Sequence, residues 1–161
     1  MRKYLIMGLS VFMLMGCSAV QPPKEVMTCN MEQNNGDHGT MEVASEFEYD
    51  KGKDIILTQK QHSQLAIKDK ETYDKLVQHF KDTQEAKGYD KIKGVKYTLE
   101  NNDDDLSIDE IIEIDFNKIT GDDYNTMANG QTNAKGSSNP NVLATETKKN
   151  LESMGFVCKV S

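Results

Sequence analysis

Three cysteines, at positions 17, 29 and 158, constrain this chain more than any other feature. Cys17 closes an N-terminal leader. Arg2 and Lys3 supply a positive start, and an apolar run over residues 4–15 follows, broken only by Gly8 and Ser10. A run of about a dozen residues is shorter than the roughly 20 needed to span a bilayer. It matches the hydrophobic region of a secretory signal. Export leaves Cys29 and Cys158 in an oxidising compartment, where two thiols without a Cys-x-x-Cys pattern read as one structural disulfide. The alternative is a pair of buried free thiols. A bridge from 29 to 158 closes a loop of 129 residues, for which chain entropy gives a stabilisation of roughly 5 kcal/mol.

The leader ends in Leu14-Met15-Gly16-Cys17. This resembles the bacterial lipobox, an aliphatic residue, a loosely specified one, a small residue and a cysteine. That motif implies a diacylglyceryl thioether on the Cys17 sulfur and cleavage just before it. The expected organisation is a lipoprotein signal peptide over 1–16, a lipidated cysteine and tether over 17–25, and one domain over 26–161. Two acyl chains hold a protein stably where one is marginal, at about 0.8 kcal/mol per buried CH₂. The net charge of −7 becomes −9 once Arg2 and Lys3 are lost. An anionic bilayer repels such a domain, so the lipid is the expected anchor.

The chain has 161 residues, enough for one compact domain. A mean hydropathy of −0.65 excludes a multi-pass membrane protein. The acidic balance argues against a nucleic-acid partner. Residues 41–50 alternate cleanly. Met41, Val43, Phe47 and Tyr49 fall on one face; Glu42, Glu46, Glu48 and Asp50 fall on the other. That is a strand with one wet face. Strands are also expected over 26–32, 55–62, 95–99, 106–116 and 156–160. Tyr73, Leu76, Val77 and Phe80 recur at helical spacing behind an Asp69 cap. A second helix is expected over 142–154, with Leu143, Leu151 and Met154 inward. Residues 117–141 read as loop with a helical turn near 122–127. The fold class is α+β: a mostly antiparallel sheet in the order β-β-β-α-β-β-α-β, with two helices packed on one face.

Several segments give the chain a family likeness: the lipobox at Cys17, the strand over 27–33, Ile92-Lys93-Gly94-Val95, and the ending over 151–158. The chain resembles the YehR-like family of small uncharacterised bacterial lipoproteins. The resemblance implies an α+β fold and brings no catalytic residues with it.

Residues 100–123 hold ten carboxylates and a single basic side chain, Lys118. Clustered carboxylates suit hard cations. An EF-hand started at Asp103 finds Asp105 and Asp109 in place. It then meets Ile108 where glycine is required and Ile114 where glutamate is required. Asp103, Asp105 and Asp109 are thus weak metal candidates, and no metal or other cofactor is expected. Glu110 has the parity of Ile108, Ile112 and Ile114. A β-bulge turning it outward is the expected resolution; if it faces inward it is a buried acid that needs a partner. His38, His62 and His79 lack metal-ligand spacing. No nucleophile elbow or phosphate loop is present.

The expected function is a lipid-anchored, extracytoplasmic lipoprotein of the cell membrane, acting as a non-enzymatic binding or accessory module. Its partners are the membrane, through the lipid on Cys17, and a protein, peptide or small ligand. The alternative is a cation-dependent extracytoplasmic enzyme or Ca²⁺-binding module built on residues 100–123.

Overall fold

A computed structural model describes residues 23–161 other than 129, 131 and 133, with the side chain of Asp37 left aside. Cys17, the leader and most of the tether lie outside the described residues. Six strands form one sheet: β1 (Lys24–Asn34), β2 (Gly39–Asp50), β3 (Ile55–Ile67), β4 (Val95–Asn102), β5 (Ser107–Asp115) and β6 (Val157–Val160). Their spatial order is β4-β5-β3-β2-β1-β6, and every pairing is antiparallel. Among the described residues three α-helices accompany the sheet: α1 (Lys70–Lys87), α2 (Gly121–Met127) and α3 (Ala144–Ser153). The mixed α+β architecture expected from the sequence is the architecture observed.

The alternation in β2 holds up to its last residue: Asp50, expected on the wet face, is buried beyond the register shift at Glu48–Tyr49, its carboxylate accepting the Gly52 and Lys53 N–H groups. Val43, Phe47 and Tyr49 are buried and Glu42 and Glu46 are exposed. Asp69 caps α1 by accepting a hydrogen bond from the Thr72 N–H at 2.8 Å. The helix stops at Gly88, whose φ of 60° is the left-handed conformation that glycine reaches without a Cβ penalty. Two apolar clusters cover the inner face of the sheet. The larger joins Met27, Cys29, Phe47, Ile56, Ile114, Phe116 and Ile119 under α2 and α3; the smaller joins Ile67, Tyr73 and Ile108 under α1. Between them the inner face carries a polar seam of Ser45, Gln61, Ser63 and Glu110.

Some boundaries differ from the sequence expectation. β1 begins at Lys24, because Lys24 and Glu25 pair with Asp50 and Tyr49. The segment given to the tether therefore loses its last two residues to the sheet. α3 begins at Ala144, not Val142. The Val142 carbonyl accepts the Ile56 N–H at 2.9 Å, and Leu143 bridges to Ile55, so both stay extended. Met154 follows α3 with 61% of its surface exposed, against the inward position expected for it. Asp54, in the β2–β3 turn, replaces a local cap for α3. Its carboxylate accepts the Thr145 N–H at 3.1 Å and the Thr145 hydroxyl at 2.5 Å.

Cys29 and Cys158 are bonded to each other, and they stand directly opposite in the β1–β6 register. β6 has four residues and pairs with β1 alone. The bridge is therefore what fastens the last strand to the sheet.

Candidate functional site

Among the described residues no helix lies on the outer face of the sheet, and the register sorts its side chains into rows. One row runs Lys159, Thr28, Glu46, Lys60, Glu113, Lys96 from β6 to β4. Glu113 sits between two ammoniums, with Lys96 Nζ at 3.0 Å and Lys60 Nζ at 3.7 Å. The hydrogen bond from Lys96, with the charges of both lysines, holds the Glu113 carboxyl below the usual carboxylate range despite some desolvation. Asp115 is held low in the same way by Lys118, at 2.7 Å.

These side chains line a hollow of about 520 Å³, walled by Gly94, Val95 and Lys118. Gly94 is required there. It has φ of 88°, and a Cβ would stand 2.8 Å from the Lys118 Cβ and 3.0 Å from the Asp115 carbonyl oxygen. The next row, Asn30, Ala44, His62, Ile111, Thr98, is nearly uncharged. The row beyond, Glu32, Glu42, Gln64, Asp109, Glu100, is acidic. His62 Nε2 reaches diagonally to Asp109 Oδ1 at 2.8 Å. Alternating ammonium and carboxylate groups on an open, pleated surface suit polar docking contacts.

The residues singled out from sequence fall in different places. Asp103 is exposed beside Lys70 at 3.7 Å, in the β4–β5 turn. Asp105 is in the same turn and accepts bonds from the Ser107 N–H and hydroxyl. Asp109 is spent on His62. Among the described residues no group of three or more His, Cys, Asp or Glu is set to hold a metal ion.

Glu110 faces inward. The β5 register is continuous on both sides through Ser63 and Leu99, so the expected bulge is absent. The Tyr97 hydroxyl, 3.0 Å away, donates to Glu110 Oε1 and removes the need to turn outward. Burial pushes the Glu110 carboxyl above its ordinary value, and the Tyr97 hydrogen bond offsets part of that rise. Tyr97 is pushed up as well, by burial and by the Glu110 charge, and its ring packs on Tyr89 at 5.1 Å.

α2 is tied to the described residues of the loop that follows it. The Gly121 N–H donates to the Ser138 carbonyl at 2.8 Å, the Gly136 N–H to Asp122 Oδ1 at 2.8 Å, and Asn139 Nδ2 to the Ile119 carbonyl at 2.9 Å. A second hollow of about 510 Å³ lies between this loop and α3, lined in part by Tyr124, Asn141 and Glu146.

A family profile described as a protein of unknown function, DUF1307, matches residues 31–157. The chain belongs to the DUF1307 family. No curated protein matches this DUF1307 chain. Among solved structures it is similar to one described as the NMR structure of the protein from Streptococcus pneumoniae TIGR4. The TM-score is 0.52 at 12% identity, over 99% of this chain and 96% of that one. At that identity the likeness is one of fold.

The sequence places Glu113 on the wet face with Lys96 opposite, as the register has them; Lys60, on the other side of Glu113, was not singled out from it. The wet parity of Glu46 and Glu113 was legible, but it takes the strand order to bring β2, β3, β5 and β4 side by side.

Proposed function

We propose that this protein is a lipoprotein of the YehR-like kind, anchored on the extracytoplasmic face of the cell membrane and acting as a non-enzymatic binding or accessory module. The reading is carried by Leu14-Met15-Gly16-Cys17 behind a short apolar run with Arg2 and Lys3 at its head. The Cys29–Cys158 disulfide supports it, since such bridges persist in oxidising compartments. The uncovered sheet face, with its hollow beside Lys96 and Glu113, supports the binding role. The ten carboxylates of the alternative, cation-dependent reading are shared between the β4–β5 turn, the wet face, the inner seam and the first turn of α2.

The test is lipid labelling with membrane fractionation. The wild type takes up radiolabelled fatty acid and sediments with membranes. Cys17→Ser takes up none and leaves the membrane fraction, or stays as an uncleaved precursor. A Cys17→Ser protein that is labelled and fractionates like wild type would overturn the proposal.

A further inference from the structure

The two edges of the sheet are unlike. β6 is a four-residue strand held by a disulfide. β4 is eight residues long, pairs with β5 without a register shift, and contains no proline. Protein edges are usually blunted by shortness, charged side chains, proline, a bulge or a cover; β4 carries Lys96 and Glu100 but is neither short nor interrupted by proline or a bulge. α1 and Tyr89 cover the inner face of β4 without pairing its backbone edge: Leu99 packs against the cluster of Ile67, Tyr73 and Ile108, Asn101 Nδ2 donates to the Tyr73 hydroxyl at 3.4 Å, and Tyr97 packs on Tyr89.

The direction of the free backbone groups follows from one bond. The Asp115 N–H donates to the Gly94 carbonyl at 2.7 Å, and Val95 stands opposite Ile114. That makes Val95–Ile114 a non-hydrogen-bonded pair, and such pairs alternate along an antiparallel ladder. Lys96, Thr98 and Glu100 therefore spend their backbone groups on β5. Tyr97, Leu99 and Asn101 point theirs at the open edge. The Val95 N–H also points outward and is already taken by the Ile92 carbonyl at 3.1 Å.

The side chains of this edge are self-complementary about Thr98. In an antiparallel pairing of two β4 strands centred there, Lys96 faces Glu100 of the second copy, and Glu100 faces its Lys96. On the other face Tyr97 meets Leu99, twice. Thr98 meets its own image. Opposite charges, an aromatic against an aliphatic, and Thr–Thr pairs are each stabilising when directly opposed across strands.

We propose that the β4 edge is a homodimer interface, in which two copies of this chain join β4 to β4 antiparallel around Thr98 into one continuous twelve-stranded sheet. Tyr97 and Leu99 exchange both backbone hydrogen bonds across the seam, on each side of the axis. The two-fold axis is perpendicular to the sheet. Both Lys24 residues then leave the dimer at the same height, which suits two tethers entering one bilayer.

The register gives a sharp test. Because its backbone faces β5, Thr98 and its image form a non-hydrogen-bonded pair, with Cα atoms about 4.5 Å apart. That lies within the span of about 4.4–6.8 Å that a disulfide bridges. Positions 96 and 96 of the two copies are staggered by four residues, about 13 Å along the strands. Full-length Thr98→Cys, Lys96→Cys and Glu100→Cys proteins are treated with oxidised glutathione in detergent, with wild type as the control for any thiol at position 17. Mass spectrometry verifies that Cys29–Cys158 stays intact. Thr98→Cys is expected to give a covalent dimer on a non-reducing gel at least ten times faster than the other two. Cross-linking of Thr98→Cys no faster than Lys96→Cys or wild type overturns the proposal.

Sedimentation supplies the second measurement. Lys96→Glu sets like charges opposite each other twice and should weaken dimerisation about tenfold. Lys96→Glu with Glu100→Lys should restore it. A wild type that stays monomeric at every concentration, or a double variant as weak as the single, refutes the interface. Neither result bears on the lipid at Cys17, which fatty-acid labelling reads separately.

Discussion

Removing the bridge between β1 and β6 gives the most direct quantitative check. Cys158→Ala is the cleaner perturbation, since Cys29 is fully buried and its thiol keeps filling the space it occupies. The bridge closes a separation of 129 residues. Chain entropy for such a loop is worth about 5 kcal/mol at 25 °C. Unfolding entropy of about 2.1 cal/mol/K per residue, over a domain of about 140 residues, comes to about 0.3 kcal/mol/K. Loss of the bridge should therefore lower the thermal midpoint by about 17 °C. β6 adds its own share, because without the bridge it is left with its short backbone pairing to β1, from Val157 to Ser161, over Met27 and Cys29. The assay is urea denaturation together with calorimetry, comparing wild type, Cys158→Ala and dithiothreitol-treated wild type. A midpoint change under about 3 °C, or alkylation of two thiols in unreduced denatured protein, would refute the reasoning.

Other expected outcomes follow from single contacts. Glu110 has a folded-state pKa raised above its unfolded value, so the unfolded chain releases its proton first as pH rises. Stability should fall from about pH 4.5, near the unfolded carboxylate value, up to the folded value, and then level off. Glu110→Gln should flatten that fall in urea midpoints taken between pH 4 and 8; an unchanged slope would remove Glu110 as its source. Asp54→Ala should cost about 1 kcal/mol by uncapping α3, read as amide exchange speeding up at Thr145. Exchange unchanged there would mean that the cap is dispensable. Gly94→Ala should cost more than about 1 kcal/mol, since a Cβ meets Lys118 and the Asp115 carbonyl at a positive φ. Wild-type stability in that variant would contradict the packing described at the hollow.

The fold was legible where the physics is local. Alternation in β2 short of Asp50, the 3-4-7 spacing of α1 and its Asp69 cap all depend on neighbours within a few residues, and they appear where the pattern puts them. The failures have distant partners. Glu110 read as an acid in need of a bulge, because its partner Tyr97 is thirteen positions away on the adjacent strand. α3 starts late because Val142 answers to Ile56. Its cap comes from Asp54, ninety-one positions earlier. The outer-face rows needed both parity, which the sequence shows, and strand order, which it does not. The disulfide was legible from cysteine number and leader, yet its place as a directly opposed cross-strand pair came only with the β1–β6 register.

Val26 and Ser161 exchange backbone hydrogen bonds at 3.2 and 2.9 Å, so β1 finds its outer neighbour 135 positions later. Until β6 is made, β1 has β2 on one side and an empty flank on the other. Synthesis that stops ahead of residue 157 leaves out Cys158 and this closing strand together. The disulfide thereby works as a clasp that fastens only after the rest of the sheet exists.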